Sequence, residues 1–344
     1  MKVKLSDLAK ELKISVAAVS MALNNKKGVS DETRQRVMQL AHAKGYQIKS
    51  PHGAIDEEKQ EKKYIKLLRM QKHGLIAIDT AFFGTVIEGI EEECKNQGYE
   101  LLISYKSLQE LNHWDIEEEC GNNIQGLIIF ATELDDSDML AFRDIRKPIV
   151  ILDSYFIGEH WDTVLMNNEG AAYQAVKYLA QCGHRKIGYL KSSTPIYNFR
   201  KRFIGYLDAL QGEGLTFDSQ LNFELEPTLV GAQRDMEILL QEKDIKELPT
   251  AFVADNDIIA VGAMNALQKN NIQIPEEISM IGIDDMPFCQ AVRPELTTVK
   301  VYKKEIGKEA VNTLIRNIGT KRNIVQKREI NTELIIRNSV KVLK

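Results

Sequence analysis

The sequence is poor in the residues that announce chemistry. Four cysteines, six histidines and two tryptophans are spread over 344 residues. Cys94, Cys120, Cys182 and Cys289 form no C-x-x-C pair. Zinc clusters need ligands about two to four residues apart, and a disulfide framework suits small secreted domains. The four therefore read as reduced packing residues, and no metal is expected. H-E-x-x-H, G-x-x-x-x-G-K-[ST], G-x-S-x-G and G-x-G-x-x-G are all missing, so neither an enzyme nor a cofactor is expected. No apolar run approaches the roughly 18 residues of a membrane span; Gly126–Phe130 has strand length. The opening residues, Met1 to Leu8, are basic without an apolar core, which gives no secretory signal. The expected location is cytoplasmic, with no membrane contact.

What is present is an ordinary globular balance, 44% hydrophobic and 27% charged, over two to three usual domain lengths. The net charge of −4 is unevenly placed. Residues 1–49 carry ten Lys/Arg against four acids, +6, which leaves −10 on residues 50–344. A basic end on an acidic body points to a polyanion contact at that end. A solvated lysine-rich helical surface is the alternative on charge alone.

Helical periodicity decides between them. Leu5, Leu8, Ala9 and Leu12 recur at helical spacing, with Ser6 and Asp7 in the first turn. After a break at Lys13-Ile14, Ser15 caps a second helix whose inward face is Val19, Ala22 and Leu23. Its other face presents Val16, Ala17, Ser20, Met21 and Asn24. A third helix runs from Ser30-Asp31-Glu32 to about Lys44, ending at Gly45. Helix, short turn, helix with an exposed small and polar face, and a bracing helix follow helix-turn-helix logic. The second helix suits a major groove, while lysines and helix N-termini suit phosphates.

The runs Ser6-Asp-Leu-Ala-Lys-Glu-Leu12, Ser15-Val-Ala-Ala-Val-Ser-Met-Ala-Leu-Asn24 and Val29-Ser-Asp-Glu-Thr-Arg-Gln-Arg-Val37, then Gly45-Tyr46, resemble the headpiece of the lactose repressor/galactose repressor family. The resemblance implies that Val16, Ala17, Ser20 and Met21 face DNA bases, with Asn24 and Asn25 nearby. Ala18 stands near a usual Thr, and Lys4, Ser6, Ser15 and Lys26 complete the DNA-contact set. Met21 replaces a usual Arg and offers apolar contact only, for example to a thymine methyl. The family's hinge helix is not matched at 50–63. Pro51 and Gly53 punctuate that segment and its charged run reads as a solvated linker, with Ala54-Ile55 the alternative minor-groove wedge.

From Tyr64 onward, strand-like runs (65–70, 101–104, 126–130, 149–152, 163–166, 186–190, 250–254, 279–283 and 297–301) alternate with amphipathic helical ones. The helical stretches are 84–96, 135–143, 169–182, 199–212, 230–240, 257–269 and 303–317. Alternation over about 280 residues predicts two doubly wound parallel sheets, with a ligand cleft between two lobes. The runs Phe82-Phe83, Pro148-Ile-Val-Ile-Leu-Asp153, Gly183-His-Arg-Lys-Ile-Gly-Tyr189, Phe199-Arg-Lys-Arg-Phe203, Asp255-Asn-Asp257 and Met280-Ile-Gly-Ile-Asp-Asp285 extend the same family resemblance through the body. That family's body is similar to periplasmic sugar-binding proteins. The implied architecture is an all-α helix-turn-helix headpiece (1–49), an atypical hinge (50–63) and a two-lobed α/β periplasmic-binding-protein-like body (64–344).

By resemblance, Arg200, Asn256 and Asp284 hold effector hydroxyls, and Asp153, Phe82 and Phe83 line the same cleft. An Arg fork, an amide and carboxylates satisfy adjacent hydroxyls, and an aromatic face stacks on a ring. Phe82 and Phe83 also read as plain core. Arg69, His73 and Asp79, in a loop longer than the family's, are further candidates for the cleft, with a surface loop as their alternative. Asp257 is another candidate, with a helix first-turn acid as its alternative. The expected function is a DNA-binding transcription regulator, a repressor, whose affinity for a double-stranded operator is set by a small effector, carbohydrate in the first instance. The alternatives are a purine or nucleoside effector, activation in place of repression, and a sugar-binding module without regulation. A homodimer is expected because paired half-sites multiply affinity. No leucine heptads follow Thr332–Lys344, so a tetramerising tail of the lactose-repressor kind is not expected.

Overall fold

Two units make up the chain, Met1–Glu61 and Lys62–Lys344, and each is described by itself. The structure, a computed structural model, describes residues 4–23, 28–44, 46, 62–76, 80–108, 120–121, 123–320 and 324–343. Asn24, Asn25, Lys26, Asp79 and positions 50–61 of the hinge fall outside the described residues.

The first unit holds α1 (Leu5–Leu12), α2 (Val16–Leu23) and α3 (Asp31–Ala43). Lys13, at φ 53°, ends α1 in the left-handed region. Ser15 Oγ then accepts the Ala18 amide at 3.1 Å, and Ser30 Oγ the Thr33 amide at 3.3 Å, so each new helix starts on a hydroxyl cap. Leu8, Ala9, Val19, Ala22, Val37 and Ala41 form the shared core. The periodic apolar positions of all three helices converge there.

In the second unit, the alternating runs become two six-stranded sheets. The first contains β1 (Tyr64–Gln71), β2 (Glu100–Ser107), β3 (Ile124–Phe130), β4 (Ile149–Leu152), β5 (Asp162–Met166) and β11 (Lys327–Ile330). The second contains β6 (Ile187–Ser192), β7 (Asn222–Leu225), β8 (Ala251–Ala254), β9 (Ser279–Asp284), β10 (Thr297–Lys300) and β12 (Glu333–Ile335). Their orders are β11-β5-β4-β3-β1-β2 and β12-β10-β9-β8-β6-β7, parallel throughout except for β10 against β12. Every residue of β4, β5, β8 and β9 is buried, as parallel strands covered on both faces must be.

The covering helices are α4 (Thr80–Asn96), α5 (Asn168–Gln181), α6 (Tyr197–Gly212), α7 (Leu229–Glu242), α8 (Asp257–Lys269) and α9 (Lys303–Asn317). α4 pairs with α9 on the first sheet; α5 pairs with α6 and α7 with α8 on the second. The α4–α9 crossing depends on two glycines. A Cβ on Gly89 would meet the Lys304 carbonyl oxygen at 2.2 Å, and one on Gly307 the Val86 carbonyl oxygen at 2.2 Å. The backbones approach to a distance no side chain permits.

Three expectations need correction. The helix expected at 135–143 is a single 3-10 turn, Asp138–Phe142. Asp135 Oδ1 accepts the Ser137 amide at 2.9 Å and Asp138 Oδ2 the Asp135 amide at 2.9 Å, and these local bonds compete with a longer helix. β7, β11 and β12 carry no strand-like apolar run, yet each closes a sheet edge. Arg69 belongs to β1 and not to the loop that follows it.

The chain passes between the lobes at Asn167, at Val301–Tyr302 and at Asn331–Thr332. These crossings are bonded to one another. The Asn167 amide donates to the Ile330 carbonyl at 2.8 Å and its Nδ2 to Asn331 Oδ1 at 3.0 Å. Tyr302 Oη donates to Glu333 Oε2 at 2.6 Å.

Candidate functional site

In the first unit, α2 presents Val16, 49% exposed, together with exposed Ala17; Ala18, Ser20 and Met21 are half-buried beside them. Lys4, Ser6 and Ser15 are exposed. Val19 and Ala22 are fully committed to the core, and Val16 and Ala17 are turned away from it.

In the second unit, a cavity lies between the lobes at the carboxyl ends of the strands, where doubly wound sheets bind ligands. Thr132 follows β3, Asp153 follows β4, Asn256 follows β8, and Asp284 ends β9. The cavity leaves about 40 Å³ open to the centre of a water molecule. Ile76, Phe82, Phe83, Thr132 and Asp153 line it from one lobe; Ile196, Asn198, Phe199, Arg202, Pro227, Asn256, Ile258 and Asp284 line it from the other. Phe82, Phe83, Asp153, Asn256 and Asp284 are thus brought together.

Arg200 is not among them. Two residues along α6 rotate a side chain by about 200°, so Arg200 and Arg202 leave the helix on opposite sides. Arg200 is exposed and lines a separate outer chamber; the buried guanidinium in the cavity is that of Arg202. The run Phe199-Arg-Lys-Arg-Phe203 offers three cations in consecutive positions and leaves the register open. The signal that resolves it is the i, i+4 pairing of Asn198 with Arg202 on one helix face.

The Arg202 fork is filled with acceptors. Nε donates to Asn168 Oδ1 at 3.0 Å, Nη2 to Asp284 Oδ1 at 3.1 Å, and Nη1 to the Asp255 carbonyl. Asn198 Nδ2 donates across the cleft to Asp153 Oδ1 at 3.0 Å and to the Asp153 carbonyl at 3.1 Å. Thr132 Oγ1 donates to Asp153 Oδ2 at 2.7 Å. Burial pushes Asp153 up to about 6 despite these donors, and likewise Asp255, whose carboxylate accepts from Tyr189 Oη and the Ser192 amide. Asp153 (φ 62°) and Asp284 (φ 123°) hold backbone conformations disfavoured for residues other than glycine, a strain that accumulates at ligand sites. Asn256 caps α8 through Oδ1, which accepts the Ile259 amide at 3.0 Å.

The remaining candidates lie elsewhere. Asp257 is fully buried behind the cavity, where it accepts from Thr298 Oγ1, the Met286 amide and Cys289 Sγ; it braces β10 and the turn after β9. The Arg69 guanidinium stacks on Phe83 at 4.3 Å and on Tyr105 at 5.4 Å. His73 sits 3.4 Å from Glu133 and lines the outer chamber. Glu133, unforeseen from the sequence, holds residues 72–76. Its carboxylate accepts the amides of Lys72, His73 and Gly74 on Oε2 and of Ile76 on Oε1, at 2.9 to 3.1 Å. Among the described residues no cluster of side chains suits a metal ion, and no helix is long and apolar enough to cross a membrane.

The fold and the site define a two-lobed ligand-binding body joined in one chain to a helix-turn-helix unit, and comparison with known proteins specifies the family. Residues 4–48 match the model of bacterial regulatory proteins of the lacI family, and residues 176–340 the periplasmic binding protein-like domain. The chain is 30% identical over 342 residues to the HTH-type transcriptional repressor CytR of Escherichia coli (strain K12), covering 98% of this chain and 96% of that protein. It is 30% identical over 353 residues to the HTH-type transcriptional repressor PurR of Histophilus somni (strain 2336), covering 98% and 99%. Among solved structures, the regulator CelR in complex with cellobiose superposes with a TM-score of 0.70 at 20% identity, covering 98% and 100% of the two chains. The lac repressor dimer bound to operator and the anti-inducer ONPF superposes with a TM-score of 0.68 at 20% identity, covering 99% and 100%. The chain belongs to the lacI family of bacterial regulatory proteins. It is a transcriptional repressor of that family and not an enzyme.

Proposed function

We propose that this repressor binds a double-stranded DNA operator as a homodimer through α2, and that a small carbohydrate bound between the lobes sets its operator affinity. The observation that carries the effector reading is the inter-lobe cavity itself. Hydroxyl-matching groups from both lobes (Asp153, Asn198, Arg202, Asn256 and Asp284) converge on it beside the rings of Phe82 and Phe83. The solved relatives bind sugars in the complexes of CelR with cellobiose and of an Enterococcus faecium regulator with ribose. On the DNA side, the reading rests on Lys4, Ser6, Ser15, Val16, Ala17, Ala18, Ser20 and Met21, and on the division into headpiece, hinge and body at 49/50 and 63/64. Mechanistically, the Asn198–Asp153 bond is replaced by bonds through the effector. The lobes then settle in a different arrangement, and operator affinity follows from the difference in effector affinity between the two arrangements.

A thermal-shift screen of sugars, sugar phosphates and nucleosides on the full chain tests the effector. A sugar is expected to raise the melting temperature and to change operator retention in a gel shift. A nucleoside acting alone replaces the carbohydrate by a base-carrying effector, and silence from every class removes the effector reading. A footprint that survived deletion of residues 1–49 would overturn the DNA assignment.

A further inference from the structure

Helix α2 turns four side chains away from the core of its unit. At about 100° per residue, Val16 and Ser20 lie one above the other, as do Ala17 and Met21. Val19 and Ala22, both buried, fall on the opposite side. Val16 is 49% exposed and Ala17 is exposed, whereas Ser20 and Met21 are half-buried. Met21 is partly engaged within the unit. A Cβ built on Gly28, at φ +122°, would lie 3.1 Å from Met21 Sδ, so the thioether packs on the glycine that precedes α3. The chemistry of the face is uniform. An isopropyl group, a methyl group and a thioether carry no N–H or O–H, and the sulfur is only a weak acceptor. None of the three can form the paired hydrogen bonds that single out guanine or adenine. The Ser20 hydroxyl, donor and acceptor at once, serves either base. The exposed Lys4, Ser6 and Ser15 suit phosphates, and phosphate contacts carry no sequence information. The base edge that matches an apolar side chain in the major groove is the 5-methyl group of thymine.

We infer that α2 reads its operator through thymine methyl groups, with Val16 and Ala17 as the residues that set the preference. This rests on the DNA reading of α2 proposed above. Taking one methyl group out of water against Val16 or Ala17 favours the methylated base by about fourfold per contact. The discrimination is by methyl group and not by base pair, so 5-methylcytosine, which presents the same methyl, satisfies it where cytosine does not. The operator carries thymines where α2 meets the bases, and no guanine is selected by Val16, Ala17 or Met21.

The test starts from duplexes that the full chain selects out of a random-sequence pool. In the selected site each thymine is replaced in turn by deoxyuridine, which lacks the methyl group alone, and affinity is read by gel shift. One or more thymines are expected to lose about fourfold on this replacement. At the same positions 5-methylcytosine is expected to bind more tightly than cytosine by about the same factor. Val16→Ser and Ala17→Ser remove the apolar groups from exposed positions, and circular dichroism checks that each variant folds. At least one of them is expected to make thymine and uracil bind alike at a sensitive position. The inference is overturned if no deoxyuridine weakens binding, or if both variants leave every thymine-to-uracil ratio as it was. In either of those cases binding to the selected duplex stands, and the DNA reading with it. If the full chain selects no duplex, or if selection survives deletion of residues 1–49, the DNA reading of α2 falls and takes this inference with it.

Discussion

Asp153 in the cleft and Asp255 within the second lobe bury their carboxyl groups, and burial holds both at about 6, above the ordinary 3.8. The sign of the consequence is fixed. Below pH 4 each group is protonated in the folded and unfolded chain alike. As pH rises toward 6, the unfolded chain releases its protons first, so folding stability is lost across that window. Two units amount to about 3 kcal/mol per group. Asp153→Asn, which cannot ionise, should therefore gain on the wild type as pH climbs from 4 to 7, by up to about 3 kcal/mol in urea midpoints converted to free energy. A difference that stays flat with pH would show that Asp153 is not held up by burial. Arg202→Met removes the buried guanidinium that donates to the Asp284 carboxylate and the Asp255 carbonyl. A loss of about 3 to 5 kcal/mol by chemical denaturation is expected, the cost of removing one partner of a buried pair. At this scale the sequence was readable where a residue stands at the carboxyl end of a strand or within two positions of it, as Asp153, Asn256 and Asp284 do, because strand ends are recognisable. It was not readable on α6, where the helical register decides which of two arginines enters the cleft. Nor could it show Glu133, whose role consists of bonds to four backbone amides 57 to 61 residues away.

Helix α2 divides its faces strictly, with Val19 and Ala22 inside and Val16 and Ala17 outside. Val16→Asp places a charge on the outer face and touches nothing in the core. Headpiece stability should stay within about 0.5 kcal/mol, by the rule for surface positions away from special features. Operator retention should be lost, because the new carboxylate opposes phosphates and bases alike. Circular dichroism melts and a gel shift together check the pair, and retained binding would move the DNA contact off this face. The α4–α9 crossing makes the contrasting case. Gly307→Ala drives a methyl group to 2.2 Å from the Val86 carbonyl oxygen, whereas Gly84→Ala on α4 meets nothing within 4 Å. The first should cost about 1 to 3 kcal/mol through overpacking. The second should gain about 0.4 to 1 kcal/mol, as removing a helical glycine does where space allows. Thermal melts of the two variants should move in opposite directions. Most elements were legible from period and length alone. The exceptions were brief: β7, β11 and β12 have three or four residues each, carry no apolar run, and become strands only because a neighbouring sheet edge offers them partners.

The molecule as a whole couples a basic end to an acidic two-lobed body, a division the charge balance and the alternation of strand and helix already carried. Sequence does not show how the lobes are tied, because that depends on where the last two strands go. β11 closes one sheet and β12 the other, and only Asn331 and Thr332 lie between them. Two residues reach about 7 Å at full extension, so the sheets cannot slide apart at this end. Hydrogen bonds from Asn167 to Ile330 and Asn331, and from Tyr302 to Glu333, gather the other two crossings to the same place. Any opening of the body is therefore a rotation about a fixed pivot and not a translation. The displacement of an atom on ligand entry then grows with its distance from Asn331, whatever its distance from the ligand, and the rims farthest from that point travel the longest arcs.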